Sequence, residues 1–394
     1  MARRGASEVT DRERAFQLLQ RIERESAYAA ILLQGESGFV RTLVLGVLRW
    51  RSRLDHAIET LAERRISKLD PIVVDILRVG VYQLMFMDVA PYAAVSESVD
   101  LAARYAKRAR GFVNAILRRA SERDLQSLAT DLATRTAHPQ WLLDRWTGMY
   151  GAERAAAIAA ANQELSYPDV LLSGAPPPSS VPSEFVAGMV KLPGSSADVE
   201  GVVLDEGSAV IADLTAATSD DILDLAAAPG GKSLVMAARG ARVISNDISL
   251  ARLRPLMGQS RRIVASDGRR AALRRRFQTV LVDAPCSATG TIRKNPEIKW
   301  RLREQDLARF VPLQKELLAA AAGLAERTIV YSTCSLEREE NDEVIEGADK
   351  SFERIDAAQF VNQSVAPWVE RGVLRLTPES GADGFTAFVL QRSR

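Results

Sequence analysis

The chain has 394 residues, of which 47% are hydrophobic and 26% are charged, and its formal net charge is +2. This length predicts two or three domains, and the composition is typical of a globular protein. No apolar run approaches the roughly 20 residues of a membrane span, and the segment Met1–Glu8 has no apolar signal core. We therefore expect a cytoplasmic protein that has no membrane partner.

Two cysteines, Cys286 and Cys334, and two histidines, His56 and His138, limit the chemistry that this chain can support. Two cysteines cannot build a disulfide framework, and they fit a reducing compartment. A zinc site or a histidine-based triad has few candidate residues, so we predict no metal centre. Because the net charge is small, any surface that binds nucleic acid must be local.

Apolar residues at helical spacing predict an all-helical N-terminal domain, which we place at residues 1–130. Asp70 and Pro71 are typical of a capped helix start with proline in the first turn. A packed bundle is sufficient to explain the apolar stripes. The predicted helices are Asp11–Ile22, Phe39–Leu48, Ile72–Met87, Val95–Tyr105 and Phe112–Arg119.

Basic residues are concentrated in this helical region, where residues 1–123 carry 21 Lys and Arg against 15 Asp and Glu. One cluster is Arg49, Arg51 and Arg53. The second cluster consists of Arg104, Lys107, Arg108, Arg110, Arg118 and Arg119. A solvated helix face is the simpler interpretation of either cluster. The second has few acidic neighbours, which favours contacts with the phosphates of a nucleic acid.

The amino-acid composition changes in the middle of the chain. Trp141 and Trp146 lie in a helical pattern, and Pro168–Pro193 is rich in proline, serine and glycine. We interpret residues 131–200 as a linker with a small α+β region.

From about Val202 onward, strands and helices alternate, which predicts a parallel α/β domain at residues 201–394. The expected strands are Ile222–Leu225, Arg242–Ser245, Arg262–Ala265, Thr279–Val282, Thr328–Tyr331, Val373–Leu376 and Ala387–Leu390. Acidic residues lie at the ends of the first four strands, namely Asp224, Asp247, Asp267 and Asp283. Ligands bind at the carboxyl ends of strands in open α/β sheets, so these four acids predict a lined cleft.

The stretch Asp224-Leu-Ala-Ala-Ala-Pro-Gly-Gly-Lys232 links the first of these strands to a helix. Gly230 and Gly231 allow a tight turn and a close approach to a ligand. A glycine turn alone is equally compatible with a plain strand–helix corner. Asp247 follows the turn at roughly the distance at which nucleotide-binding folds place an acid for the ribose, and this favours a nucleoside cofactor.

Each cysteine follows a predicted strand. Cys286 lies in Asp283-Ala-Pro-Cys-Ser287, and Cys334 lies in Tyr331-Ser-Thr-Cys-Ser335. A free cysteine is more often a small buried apolar residue than a reagent. Having both thiols at one edge of the sheet favours nucleophilic chemistry, which needs a thiolate. No histidine is near in sequence, so the group that activates the thiol stays open.

Together these motifs resemble a known family. The two cysteine motifs, with Asp224–Lys232 upstream, resemble RNA cytosine carbon-5 methyltransferases of the Sun type. Gly111-Phe-Val-Asn-Ala-Ile-Leu117 looks like the antitermination factor NusB. The fusion of the two is similar to bacterial enzymes that act on small-subunit (16S) ribosomal RNA, over nearly the whole chain. The implied fold is an all-α NusB-like domain followed by an α/β Rossmann-like methyltransferase domain.

The resemblance implies S-adenosylmethionine as the cofactor. Asp247 would bind its ribose, Asp267 would lie near its adenine, and Asp283 would lie near both the target base and the cofactor. The remaining residues expected to hold it are Ala226, Ala227, Ala228, Pro229, Gly230, Gly231 and Lys232.

The resemblance also assigns the thiols. Cys334 would attack carbon 6 of a cytosine and so make carbon 5 nucleophilic, and Cys286 would assist release of the product. The stretch Gly290–Trp300 matches a family segment beside the active site. The simpler interpretation of this segment, a basic surface loop, is compatible with RNA contact, and we expect Arg293 and Lys294 to contact RNA. The expected partner is 16S rRNA, either free or early in assembly, and we expect a monomer.

Four places depart from the family pattern. An Arg-Val-Asn motif is replaced by Leu172-Ser-Gly174, and a proline is missing from Leu336–Glu340. Asp383–Thr386 replaces a more aromatic turn, and the stretch between Asp247 and Asp267 is short and rich in arginine, which predicts a trimmed adenine pocket. Two other hypotheses remain open at this point: an amino-methyltransferase acting on another nucleic acid or a protein, and a non-catalytic RNA-binding assembly factor.

Overall fold

The computed structural model describes residues 9–25, 27–193, 199–260 and 262–393. Met1–Glu8, in which the sequence predicts no signal peptide, lies outside them. The chain folds into two compact units, one comprising Met1–Gln163 with Asn295–Arg301 and the other Glu164–Lys294 with Leu302–Arg394. Helices that the sequence analysis grouped with the linker region therefore belong to the first unit.

The secondary structure consists of fifteen helices and thirteen strands in the described part of the chain, besides short 3₁₀ turns. The helices are α1 (Asp11–Arg24), α2 (Ala29–Leu32), α3 (Gly38–Ala62), α4 (Pro71–Phe86), α5 (Pro91–Tyr105), α6 (Arg110–Ser121), α7 (Leu132–Thr136), α8 (Gln140–Tyr150), α9 (Ala152–Ala161), α10 (Glu206–Ala216), α11 (Gly231–Ala238), α12 (Arg254–Met257), α13 (Ile298–Arg301), α14 (Val311–Leu324) and α15 (Asp342–Ile345). The strands are β1 (Asp169–Leu172), β2 (Val181–Pro182), β3 (Met189–Lys191), β4 (Gly201–Val203), β5 (Asp221–Asp224), β6 (Arg242–Asp247), β7 (Ile263–Ala265), β8 (Phe277–Asp283), β9 (Ala325–Thr333), β10 (Phe352–Ile355), β11 (Val369–Glu370), β12 (Val373–Leu376) and β13 (Phe385–Arg392).

The first unit is helical, and this prediction is confirmed. Several of its helices begin at side-chain caps: Thr10 accepts from Glu13 N at α1, Ser37 from Val40 N at α3, and Asp70 from Ile72 N at α4. Each cap satisfies a backbone donor that has no partner within the helix. The apolar faces of these helices form one hydrophobic core.

The second unit is built on a nine-stranded sheet in the order β11-β12-β13-β9-β8-β5-β6-β7, with β10 also paired to β13. Strands β9, β8, β5, β6 and β7 are parallel, and β13 pairs antiparallel with β9. The Rossmann-like α/β fold is therefore confirmed, and every predicted strand has a counterpart. The parallel strands bring the acids and both cysteines to the same edge, because their carboxyl ends face one way.

A smaller antiparallel sheet, in the order β2-β3-β1-β4, precedes the large one within the second unit. It is formed by the proline-rich part of the chain, and it includes Leu172 of the departure noted above. Leu171 and Met189 of this sheet pack in the same hydrophobic core as α10. None of the helices in the described ranges is both long and apolar enough to cross a membrane.

Candidate active site and cofactor site

The glycine turn connects β5 to α11. Gly230 has a φ of +111°, which side-chain-bearing residues rarely adopt. A Cβ atom on Gly231 would lie 2.6 Å from Leu204 Cδ1, so a side chain there would have to displace this leucine. The turn therefore favours glycine most strongly at Gly230, and the first backbone N–H groups of α11 are potential ligand donors.

Asp247 lies directly beside this turn. It is buried, one carboxylate oxygen accepts from Ala228 N at 3.1 Å, and the other accepts from Ser249 N at 2.9 Å. The residues predicted for the ribose and for the cofactor turn are thus brought together.

Asp224 ends β5 beneath the turn and is 1% exposed. One of its carboxylate oxygens accepts from Ser233 Oγ at 2.6 Å, whereas the other is buried and has no hydrogen-bond partner among the described residues. Burial raises the pKa of Asp224 to about 7. An orphaned buried oxygen beside a glycine turn and a second acid fits a cofactor with a cationic group, such as S-adenosylmethionine.

Asp267 lies on the far side of this region, after β7. Its carboxylate pairs with Arg269 at 2.7 Å, and Arg269 also contacts Glu316 at 3.1 Å. The hydrogen bond from Arg269 lowers the pKa of Asp267. A cavity of about 530 Å³ opens here, lined by Asp267, Arg269, Arg270, Glu316, Ala319 and Ala320. The acid predicted for the adenine is therefore already engaged by an arginine.

The two cysteines follow the adjacent parallel strands β8 and β9, and their Sγ atoms are 3.2 Å apart. Both are free thiols and half-buried. The hydrogen bond to Cys334 and then burial raise the pKa of Cys286. The loops are held by close backbone contact, because Gly290 N donates to the carbonyl of Cys334 at 3.0 Å.

Lys232 joins the glycine turn to this thiol pair. Its ammonium donates to Asp283 at 2.7 Å and to Ser208 Oγ at 3.2 Å, and it lies 4.9 Å from the centroid of the Phe385 ring. Burial lowers the pKa of Lys232, but Asp283 and the negative charge that Cys334 can carry outweigh burial, so the pKa is raised. Ser332 Oγ completes the site by donating to Asp283 at 3.0 Å.

Arg293 and Lys294, predicted to contact RNA, lie in internal ion pairs. Arg293 is buried and contacts Asp383 at 3.2 Å. Lys294 binds Asp169 at 2.9 Å and also contacts Asp205 and Asp383. The basic-surface-loop interpretation is therefore wrong for Arg293, whose buried guanidinium serves an internal carboxylate. The acidic partners are far away in sequence, which is why the local pattern did not reveal them.

In the first unit, the six predicted RNA-contact residues differ in their surroundings. Arg104 is engaged by Glu13, and Arg119 donates to the carbonyl of Leu61 at 3.1 Å. All six are exposed, including Lys107, Arg108, Arg110 and Arg118.

Sequence reasoning missed one further group. Glu340 is buried directly beneath the two cysteine loops, where its carboxylate binds the serine that follows each cysteine. Its position soon after Cys334 is the one local feature that could have indicated this role.

A Rossmann-like sheet with a glycine turn and an acid beside it is typical of an enzyme that binds a nucleoside cofactor. Comparison with known proteins narrows this class. Residues 211–391 match the family described as 16S rRNA methyltransferase RsmB/F, and residues 9–122 match the NusB family.

Individual relatives agree with these matches. A protein of Mycobacterium tuberculosis named as a methyltransferase is 33% identical, over 82% of this chain and 83% of its own length. Ribosomal RNA small subunit methyltransferase B of Citrobacter koseri is 31% identical, over 79% of this chain and 81% of its own. The solved structure of PH0851 has the same fold, with a TM-score of 0.76 at 22% identity over 98% of this chain and 99% of that one.

The chain belongs to the 16S rRNA methyltransferase RsmB/F family and carries an N-terminal NusB domain. It is an rRNA methyltransferase that uses S-adenosylmethionine.

Proposed function

We propose that this enzyme methylates carbon 5 of a cytosine in 16S rRNA through a covalent bond between Cys334 and carbon 6 of the base. The observation that carries this proposal is the 3.2 Å contact between the thiols of Cys286 and Cys334, beside the Lys232–Asp283 ion pair. Transfer to an amino group would need no thiol, whereas carbon 5 of cytosine must first be made nucleophilic.

The assignment of Cys334 as the nucleophile rests on the resemblance of its motif to the catalytic cysteine motif of the family. Two sulfurs in contact can hold only one negative charge, because like charges at this distance repel strongly. The hydrogen bond to Cys334 and then burial raise the pKa of Cys286, which is consistent with a pair in which one thiol keeps its proton while the other attacks carbon 6.

Lys232 and Asp283 support this attack. The ammonium of Lys232 interacts favourably with negative charge on the Cys334 sulfur, which supplies an activating group that is not a histidine. Asp283 is fixed by Lys232 and Ser332, which donate to its two carboxylate oxygens. Residues Ala226–Gly231, Asp224 and Asp247 would hold S-adenosylmethionine, which supplies an electrophilic methyl group.

Release of the product is the role of Cys286. Once the Cys334 sulfur is bonded to carbon 6, it no longer carries the charge that kept Cys286 protonated. Cys286 can then release its thiol proton to water and, as a thiolate, remove the proton from carbon 5 after that carbon has received the methyl group. The electrons of the broken carbon–hydrogen bond form the 5,6 double bond, and the bond between carbon 6 and Cys334 breaks.

RNA affinity is supplied in part by the first unit. Lys107, Arg108, Arg110 and Arg118 are exposed, and they lie within twelve residues of one another along the α6 region. Exposed basic side chains of this kind bind phosphates and make affinity dependent on salt. The substrate is free 16S rRNA or an early assembly intermediate, and the enzyme acts as a monomer in the cytoplasm. Comparing methylation rates on free 16S rRNA and on assembled subunits tests the substrate, and sedimentation of the enzyme tests the monomeric state.

The two thiol roles are tested by single substitutions. Cys334→Ala should abolish methyl transfer while RNA and cofactor binding persist. Cys286→Ala should still attack and methylate, but then stall as an RNA–protein adduct that survives denaturing electrophoresis. The double variant should form no adduct, and bisulfite mapping of 16S rRNA from a deletion strain should locate the missing 5-methylcytosine.

Other outcomes would point elsewhere. An adduct with Cys334→Ala instead would exchange the two roles. Full activity in both single variants would reject the carbon-5 proposal and favour an amino-methyltransferase. Failure of the wild type to bind S-adenosylmethionine in calorimetry would favour a non-catalytic assembly factor.

A further inference from the structure

A single buried carboxylate connects the two cysteine loops. Glu340 Oε1 accepts from the backbone N–H of Ser287 at 2.8 Å, and Oε2 accepts from the hydroxyls of Ser287 and Ser335. Ser287 follows Cys286 directly, and Ser335 follows Cys334 directly. The two serine hydroxyls are themselves 3.1 Å apart. One side chain therefore binds the residue next to each thiol.

The anchor for this carboxylate is rigid. Gln314 of α14 donates to Glu340 Oε1 at 3.0 Å and to the carbonyl of Pro285 at 2.9 Å. Tyr331 of β9 donates its hydroxyl to the backbone carbonyl of Glu340 at 2.7 Å. Glu340, Gln314, Tyr331 and Ser335 are all fully buried. Movement of either cysteine loop would therefore break hydrogen bonds that water cannot replace.

A carboxylate is a costly group to place here. Burial raises the pKa of Glu340, and the hydrogen bonds from Ser287 and Ser335 oppose this shift. In the described part of the chain, the hydrogen bonds that this carboxylate accepts all come from uncharged donors. Fold stability alone favours an apolar residue at such a position, whereas a carboxylate with two oxygens can hold donors from two separate loops at once.

We propose that Glu340 is a positioning residue, whose carboxylate sets the spacing of the Cys286 and Cys334 thiols by binding Ser287 and Ser335. This inference rests on the proposed function, because it assigns both thiols to one reaction. Glu340 is fully buried, so it offers no exposed surface to substrate or cofactor. Its substitution should lower kcat by about tenfold or more, because a small misplacement of reacting groups is costly. The KM values for RNA and S-adenosylmethionine should stay within about twofold, since neither ligand touches Glu340.

The spacing can be measured without catalysis by a trivalent arsenical. Phenylarsine oxide bonds two neighbouring thiols at once and releases one water, so its affinity reports the spacing of the sulfurs. Wild-type enzyme should bind one equivalent, and Cys286→Ala should bind it far more weakly. Glu340→Gln keeps the shape of the side chain but replaces one acceptor oxygen by a donor amide. The dissociation constant of phenylarsine oxide from this variant should therefore be about tenfold higher than from the wild type. Glu346→Gln, the same change at an exposed position of the second unit, should match the wild type.

Each result decides the question. A higher arsenical dissociation constant together with a lower kcat supports the proposal. If Glu340→Gln fails to fold, Ser335→Ala should show both changes instead. Wild-type arsenical affinity in both Glu340→Gln and Ser335→Ala overturns it. Weakened arsenical binding with unchanged kcat would leave Glu340 as the spacer but reject the thiol chemistry, so the two proposals fail separately.

Discussion

Replacing Lys294 by methionine should destabilise the second unit rather than weaken RNA binding. The ammonium of Lys294 is the shared cation of Asp169, Asp205 and Asp383, and the side chains of Asp169 and Asp383 are only 3% and 2% exposed. Methionine fills a similar volume but leaves these carboxylates without that charge. The expected primary effect is therefore on the free energy of unfolding.

The expected loss of unfolding free energy follows from the cost of removing one partner of a buried ion pair. Removing one partner leaves the other charge uncompensated, which costs about 3–5 kcal/mol. For a unit of this size, this corresponds to a fall in Tm on the order of 10 °C. Arg293 still contacts Asp383 at 3.2 Å, so the lower end of the range is expected. Burial raises the pKa of Asp383 to about 8, and loss of Lys294 should raise it further.

Scanning calorimetry measures the effect, with Lys350→Met as the control because Lys350 is an exposed lysine of the same unit. Adding Asp383→Asn to Lys294→Met should recover part of the lost stability, because it removes a buried carboxylate that has lost one of its two cationic partners. An unchanged Tm for Lys294→Met together with a weaker RNA affinity would refute this reasoning and restore the RNA-contact interpretation.

Three further predictions concern the cofactor, the RNA surface and pH. Asp247→Ala should weaken S-adenosylmethionine binding by roughly ten- to hundred-fold, since it removes charge-assisted hydrogen bonds; an unchanged dissociation constant in calorimetry would reject the ribose assignment. Charge reversal at Lys107 and Arg108 should flatten the salt dependence of RNA binding by roughly one unit of slope or less for each phosphate that the enzyme no longer binds, and a slope equal to the wild type would exclude this surface. Because the folded pKa of Asp224 is raised to about 7, its contribution to stability is complete below the unfolded pKa near 4 and is lost as the pH rises through 7. The free energy of unfolding of Asp224→Asn, relative to that of the wild type, should therefore be about 2 kcal/mol higher at pH 7.5 than at pH 5. A parallel pH dependence of unfolding in the two proteins would contradict the raised pKa of Asp224.

Local sequence patterns were sufficient for the sheet and the cofactor turn. The predicted strand Ile222–Leu225 coincides with β5 to within one residue at each end, and Val373–Leu376 is β12 as predicted. These strands are short apolar runs, and the turn after β5 favours glycine at Gly230, where φ is positive. Parallel topology then brings Cys286 and Cys334 to one edge.

Contacts between distant parts of the chain could not be predicted in this way. In the local sequence Lys294 is one cation of a basic stretch, but in the fold it binds Asp169, 125 residues earlier. Glu340 reads as one acid in a charged run, and its partner Ser287 lies 53 residues earlier. Charge patterns along a sequence predict exposure on average. They fail where the tertiary fold supplies a buried partner of opposite charge or a set of donors.

Both failures occur in loops at the carboxyl edge of the sheet, and this location has a physical reason. Beyond Asp283 and Thr333 the strands end, so the cysteine loops have no continuous backbone ladder to fix them. Apolar side chains could cover these loops, but apolar contacts are not directional. Hydrogen bonds to Glu340 and ion pairs to Lys294 are directional, and they fix these segments despite the cost of burying charge. Glu340 and Lys294 therefore lie where the sheet itself cannot provide the fixed geometry that the proposed reaction needs.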